Sequence, residues 1–164
     1  NDTTEINSSE KEFFASPCLT AFALPGEKFI VFYIGETLYG IPSKEVTEII
    51  RPVPVAALPN APQWILGIIN LRGEIVPVVD LQTLWNKNSA AMPKSKFIVL
   101  RSDMSSACVA FAVDKLSEMV TLFAKEIEAL VEESAPHIFG KAVYKSNVLR
   151  LIDTHKLFAS LAVN

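Results

Sequence analysis

The pattern of apolar and polar positions predicts that this chain is built mainly from short strands. Residues 29–34 (FIVFYI) and 37–41 (TLYGI) are rich in β-branched and aromatic side chains and flank a Gly35-Glu36 step, which is typical of a β-hairpin. Apolar side chains occupy both faces of the first strand. A strand with one face in water would alternate with polar residues, so we expect this strand to be covered on both sides.

A second hairpin is predicted where the run INLRGEIVPVVDL (69–81) is interrupted by Arg72 and Gly73. Gly73 lies at a turn position that calls for a positive φ angle or a close backbone approach. Arg72 has two interpretations, which can both hold. It is a structural anchor that pairs with a carboxylate such as Glu48 or Glu74, or it is a surface that a partner contacts.

Short helical segments are predicted between the strands. Ser43 can cap a helix over residues 43–50, in which Val46, Ile49 and Ile50 fall at helical spacing. One helical turn is predicted at 63–67, a brief helix at 81–85, and a helix or a loop with one helical turn at 124–134.

The second half of the chain continues the pattern of short strands after a surface loop near residues 86–95, which divides the chain into halves. Pro77, in the first half, lacks a backbone donor and predicts an edge strand or a bulge. Nine or ten short strands favour an all-β fold with a few short helices, as one barrel or a pair of small barrels. The strands of the second half are predicted at 96–101, 107–114, 118–123, 137–144 and 148–153, before a helix at 154–161.

Two segments of the sequence share the same order of predicted elements. VVDLQTLW (78–85) and LIDTHKLF (151–158) both run from a strand through an aspartate into a short helix. A two-fold architecture, in which each barrel closes with the same device, explains the shared order. We therefore expect Asp80 and Asp153 to cap those two helices.

Composition narrows the function classes. The chain has 164 residues, half of them apolar, which suits one domain or two small ones that share a core. A net charge of −3 argues against a nucleic-acid binder.

The apolar stretch at 13–24 is too short and too interrupted to span a bilayer, so no membrane insertion is expected. Cys18 and Cys108 are expected to be reduced thiols of a cytosolic protein. Residues 1–27 form an extension that is predicted to be partly flexible.

Catalytic and metal-binding patterns are missing from the sequence. His137 and His155 are 18 residues apart, and neither has a ligand at metal-binding spacing, so both are expected to be surface histidines. The sequence contains no phosphate-binding glycine motif and no nucleophile elbow. We therefore expect a protein that is not an enzyme and that needs no metal or cofactor.

The landmarks of residues 28–161 resemble the CheW family of bacterial chemotaxis adaptors. Gly67 to Leu81, with GIINLRG and IVPVVDL in register, looks like the family signature, and flanking segments such as Tyr39-Gly40-Ile41 occur in the family's order. The resemblance implies two intertwined five-stranded SH3-like β-barrel subdomains that share a core. It also implies a cytoplasmic adaptor, recruited to receptor arrays, that couples the cytoplasmic tip of a chemoreceptor to the regulatory domain of a CheA-type histidine kinase.

The resemblance also assigns roles to individual residues. It implies a receptor-binding face at Val46, Glu48 and Arg72, although Val46 has an equally good interpretation as a core residue. Kinase binding is implied for five residues of the first barrel, and a structural role in the central motif for three others. The kinase-binding set is Ile34, Tyr39, Leu58, Trp64 and Ile65, and the structural set is Asn70, Gly73 and Asp80.

Two other functions compete with the adaptor. The chain can be a CheW-like regulatory domain excised from a larger kinase or response-regulator fusion, in which case the natural chain would continue past Leu161. It can also be a barrel that binds a ligand or nucleic acid. The acidic balance and the lack of a stripe of basic and aromatic residues count against nucleic acid.

Overall fold

The fold is made of strands with a short helix at two points where the chain leaves a sheet. The computed structural model describes residues 26–85, 94–102, 106–130 and 136–162. These residues include 3₁₀ turns at Ser43–Glu45 and Ala124–Glu126. The strands and α-helices are β1 Glu27–Ile34, β2 Thr37–Pro42, β3 Val46–Ile50, β4 Ile65–Leu71, β5 Glu74–Val79, α1 Leu81–Leu84, β6 Lys96–Arg101, β7 Cys108–Val113, β8 Lys115–Leu122, β9 Glu128–Ala129, β10 Ile138–Tyr144, β11 Asn147–Ile152 and α2 Thr154–Ala162.

The strands form two sheets. One has six strands in the order β8-β1-β2-β11-β10-β9, and the other has five in the order β3-β6-β7-β5-β4. Strand pairs are antiparallel except β2 with β11 and β5 with β7, which are parallel. The predicted all-β class with two β-subdomains is confirmed, although the two-residue strand β9 gives one sheet a sixth member.

The division expected near residues 86–95 does not separate the two sheets. Residues 86–93 themselves lie outside the described residues. The strands before and after them, β5 and β6, belong to the same five-stranded sheet. The six-stranded sheet instead combines β1 and β2 with β8 to β11, so the two subdomains are intertwined along the chain.

Strand β1 is buried on both faces, as its composition predicts. Ile30, Phe32 and Ile34 join a core cluster with side chains of β6 and β7 from the other sheet. Phe29 and Val31 join a second cluster with side chains of β10 and β11 from their own sheet. The first cluster is the core that the two subdomains share, and the second fills the interior of the six-stranded sheet.

The predicted helix over residues 43–50 is wrong. After the 3₁₀ turn, the chain continues as β3, and Thr47 is an extra residue in its pairing with β6. This β-bulge places Val46 and Ile49 against the shared core, while Ile50 packs inside the five-stranded sheet. A bulge shifts the two-residue period of a strand, and the resulting apolar spacing matches that of a helix.

The other predicted helical segments have mixed outcomes. Residues 81–85 do form the short helix α1 and its C-cap. The segment at 63–67 is mostly strand, because β4 begins at Ile65. The segment at 124–134 begins as one 3₁₀ turn and then enters β9, and its residues 131–135 lie outside the described residues.

Pro77 lies in an interior strand, so the prediction of an edge strand is wrong. Strand β7 pairs only with Val78 and Val79 of β5. Pro77 therefore has a paired neighbour in β4 but none in β7. A β-bulge in β4, between Ile65 and Gly67, lies next to the residue that faces Pro77. The missing donor is accommodated because the ladder to β7 begins one residue later.

The shared order of elements in the sequence corresponds to a repeated hairpin. Residues 70–80 and 143–153 align without a gap, and β5 and β11 have the same order of exposed, half-buried and buried positions. Asp80 accepts a hydrogen bond from the backbone N–H of Gln82, and Asp153 accepts one from Lys156, both at 3.1 Å. The predicted capping role of both aspartates is confirmed.

A buried hydrogen bond ties α1 to the six-stranded sheet. The Nε1–H of Trp85 donates to Nδ1 of His137 at 2.8 Å, and the Trp85 ring also packs against Tyr39 with 5.0 Å between the ring centroids. His137 is buried, so its prediction as a surface histidine is wrong. Because Nδ1 accepts this bond, it carries no proton, and the buried imidazole is neutral.

This hydrogen bond predicts that stability depends on pH. Burial lowers the pKa of His137, the charge of Lys156 lowers it further, and Asp153 opposes the change. A histidine whose pKa is lower in the folded state takes up its proton first in the unfolded chain, so acid favours unfolding. We expect the urea midpoint to stay level above neutral pH and to fall as the pH drops through the usual histidine range near about 6.5.

Two matched variants check the assignment to His137. His137→Gln keeps an acceptor for Trp85 but does not titrate, and we expect it to lose this dependence between neutral and mildly acidic pH. His155→Gln changes an exposed histidine and should keep the dependence. Equal acid sensitivity in the parent and His137→Gln would contradict the prediction.

Candidate functional site

The tight turn between β4 and β5 forms the tip of the first hairpin. Arg72 and Gly73 have φ angles of 52° and 86°, so both central residues adopt the left-handed conformation of a type I′ hairpin turn. The backbone N–H of Gly73 donates to the side chain of Asn70 at 2.9 Å. A Cβ added at Gly73 would meet no atom within 4 Å. The φ angle predicted for Gly73 is confirmed, whereas a close backbone approach is not what requires glycine here.

Arg72 pairs with Glu48 across the gap between the edge strands β3 and β4. The guanidinium engages both carboxylate oxygens, with Nη1 3.2 Å from Oε1 and Nη2 in contact with Oε2. This hydrogen bonding lowers the pKa of Glu48. The pair clasps the two edges of the five-stranded sheet, so Arg72 is a structural anchor, and Glu48 rather than Glu74 is its partner. Glu74 pairs with Arg101 at 3.1 Å.

The same clasp leaves charged atoms open to solvent. The Arg72 side chain is 70% exposed and the Glu48 side chain 22% exposed. Val46, on the same strand, is half-buried and packs against the shared core. Of the three residues expected at a receptor face, Glu48 and Arg72 are therefore brought together at the surface, and Val46 supports the strand from below.

The five residues expected to bind the kinase do not share one surface. Ile34 and Tyr39 are 5% and 1% exposed in the shared core, so the prediction that they contact a partner is wrong. Leu58 is exposed in the loop before β4, while Trp64 and Ile65 are half-buried at the start of that strand. The residues that remain available all belong to the part of the chain around the beginning of β4.

An open groove lies between α2 and the surface of β5 and β7. It has a volume of about 540 Å³ and is lined mainly by apolar side chains. Ile75 is 58% exposed at the groove, three residues after Arg72. The side chains that define this apolar groove are Trp64, Ile65, Ile75, Pro77, Phe158 and Leu161.

Sequence reasoning missed the contribution of α2 and Ile75 to this groove. The helix follows the second hairpin, more than 70 residues after Ile75, and only the parallel pairings and the shared core bring the two together. The one signal in the sequence was the apolar character of Ile75 at a position where a hairpin strand would face solvent.

Metal chemistry finds no support in the geometry. Among the described residues, no group of three or more His, Cys, Asp or Glu side chains could hold a metal ion.

Cys108 is a buried free thiol, and burial raises its pKa. In the same part of the chain, no helix has the length and apolar character needed to cross a membrane.

Comparison with known proteins identifies the family. A family model described as the CheW-like domain matches residues 28–162. The chain belongs to the CheW-like family. The chemotaxis protein CheW of Treponema pallidum is 28% identical to this CheW-like chain over 149 residues, which cover 84% of this chain and 86% of the relative. The chemotaxis protein CheW of Klebsiella aerogenes is 29% identical over 139 residues, which cover 82% and 83%.

A solved structure supports the same assignment. The scaffolding protein TtCheW from Thermoanaerobacter tengcongensis matches with a TM-score of 0.71 and 28% identity, over 79% of this CheW-like chain and 89% of that protein. The fold and the sequence therefore point to the same family, whose members are named as chemotaxis and scaffolding proteins.

Two glycines of the first hairpin separate a steric requirement from a conformational one. At Gly67, an added Cβ would lie 2.2 Å from the carbonyl oxygen of Ala56, and the strand would have to move. We expect Gly67→Ala to lower the free energy of unfolding by more than about 2 kcal/mol, because both the clash and the positive φ disfavour alanine. Gly73→Ala should cost about 1–2 kcal/mol, from the left-handed conformation alone. Urea denaturation measures both, and equal losses would contradict this account.

The clasp predicts a local effect on the sheet edge. Arg72→Asn suits the left-handed turn and removes the pair with Glu48, so we expect the free energy of unfolding to change little, since solvent screens an exposed ion pair. Amide hydrogen exchange in β3 should become faster, because one edge of the sheet is released.

The second hairpin provides the matched control. Lys145 occupies the equivalent turn position and pairs with Glu118 of β8 at 2.8 Å. Lys145→Asn should accelerate exchange in β8 and leave β3 unchanged. Unchanged exchange in β3 after Arg72→Asn would show that the clasp does not hold that edge.

Proposed function

We propose that this CheW-like chain is a non-catalytic adaptor that couples the cytoplasmic tip of a chemoreceptor to the regulatory domain of a CheA-type histidine kinase. It would act in chemotaxis or related motility signalling, in the cytoplasm at receptor arrays, without a cofactor and without binding nucleic acid. The observation that carries the proposal is an exposed charged clasp beside an open apolar groove, in a chain of the CheW-like family.

The receptor face is proposed at the clasp. The Arg72 guanidinium is held in the left-handed turn by Glu48, so it is presented to solvent in a defined orientation. A preorganised guanidinium can add hydrogen bonds to a carboxylate or carbonyl of a receptor hairpin. Glu48 keeps part of its carboxylate exposed and offers an acceptor to the same partner.

The kinase face is proposed around the start of β4. Leu58 is exposed, and Trp64 and Ile65 line the apolar groove. Aromatic residues such as Trp64 are enriched among the few residues that supply most of the binding energy in protein interfaces. The two proposed faces have different chemistry, since the receptor face is charged and the kinase face is apolar.

The alternative is a regulatory domain cut from a larger kinase or response-regulator fusion. The alignments with the two proteins named chemotaxis protein CheW span 86% and 83% of the lengths of those relatives. We place the adaptor first because both relatives are named as chemotaxis proteins.

A calorimetric titration with the regulatory domain of a CheA-type kinase, and a second with a receptor-tip fragment, test the proposal. We expect saturable binding of both. Leu58→Glu should weaken kinase binding by at least about tenfold, because it places a charge in an apolar contact, and should leave receptor binding unchanged. Arg72→Asn should weaken receptor binding and leave kinase binding unchanged.

The control for a general surface effect is Met119→Glu, which changes an exposed apolar residue of β8 in the other sheet. It should bind both partners like the parent chain. If the folded parent chain bound neither partner, the adaptor function would be excluded. If both variants weakened both partners equally, the two faces would be assigned wrongly.

A further inference from the structure

The apolar groove is an incomplete surface within the part of the chain that the structure describes. Ile75 is 58% exposed there, and half-buried Trp64 and Phe158 line the same groove. Apolar side chains that meet in one open groove are rarely left in water, because covering them is favourable by about 25 cal/mol per Å² of buried apolar area. We therefore expect another segment or molecule to cover this surface.

A segment of the same chain has the composition of such an occupant. Residues 11–25 (KEFFASPCLTAFALP) include nine apolar residues among fifteen, with phenylalanines at 13, 14 and 22. They precede the region that the family model matches, which begins at residue 28. They are therefore additional to the matched domain, and their apolar side chains need a surface to cover them.

The path from Gly26 to the groove is short enough for this segment. Glu27, the first residue of β1, pairs with Lys44 at 3.4 Å, two residues before the start of β3. Val46, the first residue of β3, pairs with Leu100 of β6, which pairs with Val109 of β7, so Val46 is two strand spacings or roughly 10 Å from a residue that lines the groove. An extended chain from residue 18 to residue 26 spans up to about 30 Å. The middle of the segment can reach the groove without any change in the sheets.

We propose that residues 11–25 dock in the apolar groove of their own chain and cover Ile75 and Phe158. The segment is an intramolecular occupant, held by a short connection that gives it a high effective concentration. If the kinase face lies where it is proposed above, the kinase regulatory domain must displace this segment before it binds. That last consequence rests on the proposed function, whereas the docking itself does not.

The two cysteines of the chain allow a direct test of proximity. Cys18 lies at the centre of the segment, and Cys108 lines the groove but is buried. We would therefore place a thiol at the exposed rim, with Ile75→Cys in a Cys108→Ala background. The matched control is Met119→Cys in the same background, because Met119 is 53% exposed and Ile75 58%. Diamide takes up the two hydrogen atoms that the thiols lose when the disulfide forms.

Peptide mapping by mass spectrometry at low protein concentration measures the intramolecular disulfide with Cys18. We expect it to form at least about tenfold faster with Ile75→Cys than with Met119→Cys, because docking holds Cys18 near the groove. Equal rates in the two variants, or disulfides only between different molecules, would overturn the docking.

A second measurement uses a synthetic, fluorescently labelled peptide of residues 11–25 and the chain without residues 1–25. We expect saturable binding by fluorescence anisotropy, weakened at least about tenfold by Ile75→Glu and unchanged by Met119→Glu. Absence of saturable binding to the folded chain would also overturn the docking.

Kinase binding separates this inference from the proposed function. Removal of residues 1–25 should tighten binding of the kinase regulatory domain, because no segment has to be displaced. Equal affinity of the full and shortened chains, with a specific disulfide formed, would overturn the competition. If neither chain bound the kinase domain although the disulfide formed, the proposed function would fail and the docking would stand.

Discussion

Burial of both faces of β1 is the constraint on which the rest of the structure depends. Its even-numbered apolar residues enter the core between the two sheets, while Phe29 and Val31 fill the interior of one sheet. A strand of this composition cannot lie on the outside of a single barrel, because one apolar face would remain in water. The second sheet is therefore required for the first to be stable, and the two subdomains cannot be divided without exposing β1.

Both sheets close in the same way around this core. Each has a hairpin whose turn residues adopt left-handed conformations, and each hairpin tip carries a cation that pairs with a glutamate on the opposite edge strand. Arg72 with Glu48 closes the five-stranded sheet, and Lys145 with Glu118 does so for the six-stranded sheet. Tyr144 adds a hydrogen bond to Glu118 at 2.6 Å in the second case. The repeat therefore includes the charged clasp as well as the strand, aspartate and helix.

The two clasps differ in chemistry, and this difference bears on function. A guanidinium is planar and can hold a carboxylate through two parallel hydrogen bonds, while an ammonium acts as a single charge on a flexible stem. The Arg72 clasp is consequently the better oriented of the two, and it lies beside the apolar groove, where Ile75 follows in the same hairpin. One hairpin thus closes its sheet and presents both a charged and an apolar surface. The structural pair and the proposed partner surfaces therefore meet at the residues around the Arg72-Gly73 turn.

Local sequence determined the features that depend on near neighbours. The hairpins, the positive φ of Gly73 and the caps at Asp80 and Asp153 follow from residue types within a few positions, and the all-β class follows from their number. Only the tertiary structure decided the rest. The bulge at Thr47 gives this segment the apolar spacing of a helix, but the segment is a strand, because pairing with β6 supplies the hydrogen bonds that a helix would have made internally. Burial of Tyr39 and His137, the choice of Glu48 over Glu74, and the groove between β5 and α2 all depend on which distant segments pack together. Sequence spacing carries no information about such contacts, since the shared core sets them through surfaces that are far apart in the chain.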